Sequence, residues 1–187
     1  MKADNVQQFI LKNEDNFRIA ASVIDVWPEI RRRIVDGFLE RLEARLNMRL
    51  ERWQFSRDNR FLEDDYASYN FCKPAWGGEY FLGLQAGKYG SQMIMGVWRD
   101  KGKILNRPFS NELLDAIQMN HPDARFIKPW WDAAVFMKSP ASDWRKPDAL
   151  WQMHQDSKFL DDVAEQLLDL AKTSAPIIDG LVQKYKK

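Results

Sequence analysis

Residues 66–100, YASYNFCKPAWGGEYFLGLQAGKYGSQMIMGVWRD, decide the fold. They read as three strands, at 66–73, 79–86 and 91–100, joined by glycine-bearing turns. The first turn, Lys73–Gly78, holds a proline that cannot donate to a sheet ladder and a glycine pair that tolerates sharp reversal. The second, Gly87–Gly90, has the length of a hairpin connection. Along the second strand Tyr80, Leu82, Leu84 and Ala86 share one face, and along the third Met93, Met95 and Val97 do. The opposite faces carry Phe81 and Gln85, then Ile94 and Trp98. Both sides of this antiparallel meander are therefore apolar, which predicts helices over at least part of each.

Helical patterns flank the meander. Upstream, residues 3–20 give a short helix and a connector interrupted at KNEDN. Pro28 then suits a first helical position, with Glu29 at the positive end of the dipole. From there Ile30, Ile34, Phe38, Leu42 and Leu46 recur every fourth residue, a stripe that must lie on a sheet or another helix. Residues 50–58 alternate as a strand. Downstream, Ser110 caps a helix over 110–119, with Phe109 and Leu114 spaced as a hydrophobic staple. Residues 129–140 contain a further strand, and SDWRKPDALWQMHQ reads as irregular or one helical turn. An amphipathic helix opens at Asp156 or Ser157, and Ser174 with Pro176 restarts a last one. The expected fold is a single α+β domain over residues 1–187, with residues 1–20 as an N-terminal helical extension. Its antiparallel sheet has about four or five strands, flanked by a long N-terminal helix and C-terminal helices.

Composition narrows the function. Eight tryptophans and a 45% apolar share mark a folded globule. Lysines and arginines number 28 against 27 acids, a net charge of +1, so no global field draws the chain to nucleic acid or anionic lipid. Cys72 is the single cysteine, which excludes an internal disulfide and suits a reducing compartment. No apolar run approaches the ~18 residues of a membrane span, and the first residues lack the apolar core of a signal peptide. The chain reads as cytoplasmic, with no membrane partner.

The motifs that mark catalysis are absent. The sequence contains no GxSxG elbow, no GxxxxGK[ST] loop and no GxGxxG fingerprint. His121, His154 and Cys72 sit in no zinc spacing, so neither a metal nor a cofactor is expected. Glu63-Asp64-Asp65 reads either as a solvated turn or as carboxylates for magnesium. Pro122-Asp123 and Pro147-Asp148 have no acidic-x-Lys triplet following at the distance metal-dependent nucleases need.

Two features point to binding. Between Arg31 and Arg60 lie nine arginines, no lysine and five acids. Arg41, Arg45 and Arg49 step by four and form a ridge, either a phosphate-binding edge or a solvated helix face with Glu40 and Glu43 as partners. The rings of Trp76, Tyr89, Trp130 and Trp131 fall in loops where a core does not demand them. They read as partner-binding or base-stacking rings, or as caps on the ends of the sheet.

The segment FCKPAWGGEYFLGLQAG…SQMIMGVWRD resembles a region that follows the nuclease core in bacterial proteins of the PD-(D/E)XK nuclease superfamily. Trp76, Tyr80, Phe81, Gly83, Gly96 and Val97 carry the likeness, over about a third of the chain. The catalytic half of those proteins has no counterpart here, so no catalytic residue carries over. The resemblance implies an accessory or recognition module of prokaryotic or phage type, tied to defence against foreign DNA. The expected function is a non-catalytic binding or regulatory module for a protein partner or nucleic acid, with a homodimer as a further arrangement. The alternative is a metal-dependent nuclease or other hydrolase built on Asp64 and Asp65 or on Cys72.

Overall fold

A computed structural model describes residues 3–87, 92–104 and 107–185. Six strands form one antiparallel sheet in the order β1-β2-β3-β4-β6-β5. They are β1 Gln54–Arg57, β2 Ser68–Cys72, β3 Tyr80–Gln85, β4 Ile94–Arg99, β5 Arg125–Ile127 and β6 Trp131–Phe136. The α+β class and the three meander strands agree with the expectation, but the sheet exceeds the expected size. The extra strand, β5, is only three residues long and pairs irregularly with β6, too short for alternation to reveal.

Register makes one face of the sheet the core. Tyr69 pairs with Leu84, and Leu84 with Met95. Phe71 pairs with Leu82, and Leu82 with Val97. All six are buried. Over them lie α2 Glu14–Asn47, α4 Asn111–Gln118, α5 Pro147–Gln155 and α6 Ser157–Tyr185. α6 packs on β3 and β4, α4 on β6, and α2 on α5 and α6, so the helices make one layer. The remaining helices are α1 Ala3–Ile10 and the single turn α3 Lys101–Ile104. Among the described residues the packed helices lie over this one face of the sheet, which corrects the expectation that helices cover part of both. Alternation shows that a face is apolar, not what lies over it.

Three helix boundaries also differ. α2 opens at Asn13, whose side chain accepts from the Asn16 N–H, so Pro28 lies inside the helix rather than at its start. Pro147 opens α5 where only a turn was expected, and Ala149, Leu150 and Met153 seat it in the core. α6 runs unbroken through Pro176 because its buried stripe continues on both sides, from Leu170 and Ala171 to Ile178 and Val182. That packing outweighs the local cost of one lost hydrogen bond. Ser110 caps α4 as read, accepting from the Leu113 N–H at 3.2 Å.

One buried ion pair ties the sheet to the segment before α4. The Arg99 guanidinium grips Asp132 through Nε to Oδ2 at 2.7 Å and Nη2 to Oδ1 at 2.6 Å, and donates to the carbonyls of Arg107 and Pro108. The Ser110 N–H completes the carboxylate at 3.1 Å. With both charges satisfied, burial is tolerated. Among the described residues, no helix is long and apolar enough to cross a membrane.

Candidate binding surface on the open sheet face

The uncovered face of the sheet carries a built trough. Its floor is a row of small side chains across four strands: Asn70 pairs with Gly83, Gly83 with Gly96, and Gly96 with Ala134. Both glycines are obligatory. A Cβ on Gly83 would sit 2.0 Å from the Tyr69 carbonyl oxygen, and one on Gly96 equally close to that of Ala133. On one side stands the row Phe81, Trp98 and Trp131; on the other, Ser68, Gln85, Ile94 and Phe136.

The aromatic wall is held in place. The rings of Phe81 and Trp98 stack with centroids 4.5 Å apart and planes within 16°. Trp98 Nε1 donates to Asn70 Oδ1 at 2.7 Å, Asn70 Nδ2 to Ser68 Oγ at 2.8 Å, and Ser68 Oγ to Asp58 Oδ2 at 3.0 Å. This relay anchors the indole to a carboxylate at the surface. In the β4–β6 ladder Val97 opposes Ala133 while Trp98 opposes Trp131, so Asp132 is the extra residue of a bulge. The bulge lets Asp132 meet Arg99 while Trp131 joins Trp98.

A cavity of about 590 Å³ opens on this face, lined by Tyr66, Ser68, Gln85, Ile94, Trp98, Ile127, Trp130 and Trp131. None of these side chains is charged. The volume lies in the ordinary range of ligand pockets. Tyr66, at a left-handed φ of 62°, and Trp130, 46% exposed, form its outer lip.

The rings read from sequence divide. Trp130 and Trp131 reach the trough, Trp130 at its lip and Trp131 in its wall, where only 3% of that ring's residue is exposed. Trp76 does not. It is 1% exposed, meets Trp53 edge to face and donates from Nε1 to Asp179 Oδ1 at 2.7 Å. The expectation of a wet ring is corrected there, because the 3-10 turn Pro74–Trp76 folds the indole toward α6. Burial disfavours the Asp179 anion, but hydrogen bonds from Lys73 and Trp76 outweigh it and hold the carboxyl below its ordinary range. Tyr89 lies outside the described residues.

The arginine ridge has partners. Arg41 donates to the Met153 carbonyl at 2.5 Å, Arg45 pairs with Asp161 at 2.8 Å and Arg49 with Glu165 at 3.5 Å. The acids come from α6, rather than from Glu40 and Glu43 on the same helix. The ridge thus bridges the helical layer, on the other side of the sheet from the trough. Arg60 pairs with Glu63 and Asp64 in the acidic turn. Among the described residues no three His, Cys, Asp or Glu side chains gather as metal ligands would. Cys72 is buried in β2, and that burial pushes its thiol up, away from the nucleophilic thiolate.

Asn70, Gly83, Gly96, Ile94 and Trp98 were not singled out from the sequence as site residues. Their signal was present: two glycines at matching places in adjacent strands, between apolar residues on the side not needed for the core. Comparison with known protein families, curated proteins and solved structures finds no match to this chain.

Proposed function

We propose that this protein is a non-catalytic binding module that captures a protein partner on its open sheet face. The observation that carries the reading is the uncharged, aromatic-walled trough of about 590 Å³ left uncovered by helices. Large apolar surface on a folded protein is retained where a partner covers it, and tryptophan-rich pockets are the usual energetic centre of such contacts. The occupant is an aromatic or branched apolar side chain presented by a protein segment. It enters over the Gly83–Gly96 floor and stacks on Trp98, with Ser68 and Gln85 offering hydrogen bonds at the opposite wall.

Charge favours protein over nucleic acid. A strand bound by stacking also needs a run of cations along its backbone; the cavity lining carries none, and the Arg125 guanidinium at the trough's edge is 4.5 Å from the Phe136 ring centroid. The arginine ridge is engaged with α5 and α6, on the other side of the sheet. The resemblance to the region accompanying PD-(D/E)XK nuclease cores adds a setting to the proposal: an accessory module beside the DNA-processing machinery of prokaryotic or phage defence.

Selection of displayed random peptides tests the reading. Wild type should enrich peptides with aromatic or branched apolar residues at a fixed position, and Ile94→Asp and Trp130→Ala should lose that enrichment while keeping their far-ultraviolet spectra. Equal enrichment on all three proteins would overturn it. So would tight binding of an oligothymidylate that survives both substitutions.

A further inference from the structure

The first part of α2 is a second unpartnered surface. Every residue from Leu11 to Pro28 is exposed except Asn16 and Ala20, which are half-buried, so the helix stands out beside α1 until Trp27 and Pro28, which border α5 and the turn at residues 60–63. Its side chains are nonetheless amphipathic. At about 100° per residue, Phe17, Ile19, Ala20, Val23, Ile24, Val26, Trp27 and Ile30 occupy roughly half the circumference. Phe17 is 56% and Ile24 70% exposed. With the apolar residues of α1, this surface comes to on the order of 1,000 Å², against about 800 Å² per partner in a stable interface.

We propose that this helical arm pairs antiparallel with the arm of a second copy of the chain, about a two-fold axis between Val23 and Ile24. The argument is self-complementarity. In that register Ala20 meets Trp27 of the second copy at the centre of the seam, a small residue facing a large one, with Phe17, Val23, Ile24 and Ile30 along its two edges. The charges follow the same axis. Glu14 and Arg32 lie on one flank of the helix, about five full turns apart, and Asp15 and Arg33 lie on the other. Antiparallel pairing therefore sets the acidic end of each arm beside the basic end of the other. Two-fold pairing of one patch with itself is how dimers ordinarily close.

Competing arrangements fit less well. A parallel pair in register would set Arg31, Arg32 and Arg33 against the same triplet. Within one chain Glu14 bonds Arg18 at 2.6 Å, while Glu29 bonds Arg32 and, at 2.9 Å, Arg33. Such exposed pairs are held weakly and exchange readily. A membrane surface is disfavoured because the polar side carries Glu14, Asp15, Asp25 and Glu29 beside its arginines, without the basic surplus that anionic lipid recruits.

Sedimentation of the full chain over a range of micromolar concentrations tests the pairing. Wild type should sediment as a dimer, and Ile24→Glu as a monomer with unchanged melting temperature. Arg32→Glu with Arg33→Glu should weaken association at least about tenfold. Adding Glu14→Arg and Asp15→Arg to that variant should restore it. A wild-type monomer at every concentration, a dimer that survives Ile24→Glu, or a charge-swapped chain no better than the double variant would each overturn the proposal. So would a monomer that co-sediments with phosphatidylcholine–phosphatidylglycerol vesicles.

Discussion

Trp98 Nε1 and Asn70 Oδ1 lie 2.7 Å apart across two strands, and this bond fixes the indole that walls the trough. Asn70 is in turn fixed by Ser68, and Ser68 by Asp58. Replacing Asn70 with alanine removes the acceptor for a half-buried N–H and should cost about 1–1.5 kcal/mol. Asp58→Asn, at the exposed end of the relay, should cost under about 0.5 kcal/mol. Urea denaturation of the two variants checks the order, and the Trp98 indole proton should shift in Asn70→Ala alone.

The glycine floor gives a sharper expectation. At Gly83 the neighbouring atom is backbone, the Tyr69 carbonyl, and cannot swing aside. Gly83→Ala should therefore lose about 3 kcal/mol or more. Gly180, inside α6, has nothing within 4 Å of an added Cβ, so Gly180→Ala should gain about 0.5–1 kcal/mol from helix propensity. Opposite shifts in the denaturation midpoint are the expected result.

The tryptophans separate by burial. Trp76→Ala empties a core site beside Trp53 and leaves Asp179 with Lys73 but without its indole donor, so it should cost about 3–5 kcal/mol. Trp130→Ala, at the lip, should cost about 1 kcal/mol or less and act on partner capture instead. Thermal melts alongside peptide binding distinguish the two roles.

The sequence made some of this plain and concealed the rest for physical reasons. The strands around Tyr80–Gln85 and Ile94–Arg99 are written in local alternation and turn residues, so they are readable. The partners of Arg45 and Arg49 are more than 100 residues downstream on α6, and no local pattern points to them. Trp76 and Trp130 both follow prolines closely in loops, yet one ring is core and the other lip. Trp76 is seated in the core by Trp53 and by an acceptor, Asp179, supplied by a distant helix. Pro28 and Pro176 look like helix starts because proline's signal is local, whereas the helices around them are held by long apolar stripes and, for α2, by the Asn13 cap.

His121 gives stability a pH dependence. Burial holds its imidazole below the ordinary histidine value, reinforced by Lys138 and opposed by Asp169. As pH falls through about 6.5 the unfolded chain takes up the proton first, so unfolding is favoured as acid is added. The melting temperature should decline from pH 7.5 toward pH 5, and His121→Asn should flatten that decline. An unchanged slope would show that other groups set it.

The open face itself is tested most directly by following the indole N–H resonances of nitrogen-15-labelled protein during titration with a blocked peptide bearing a central phenylalanine. Trp98, Trp130 and Trp131 should move together and saturate, while Trp76 and Trp144, sealed in the core, stay in place. Saturable movement elsewhere with no change at Trp98 would contradict the assignment of the trough as the binding surface.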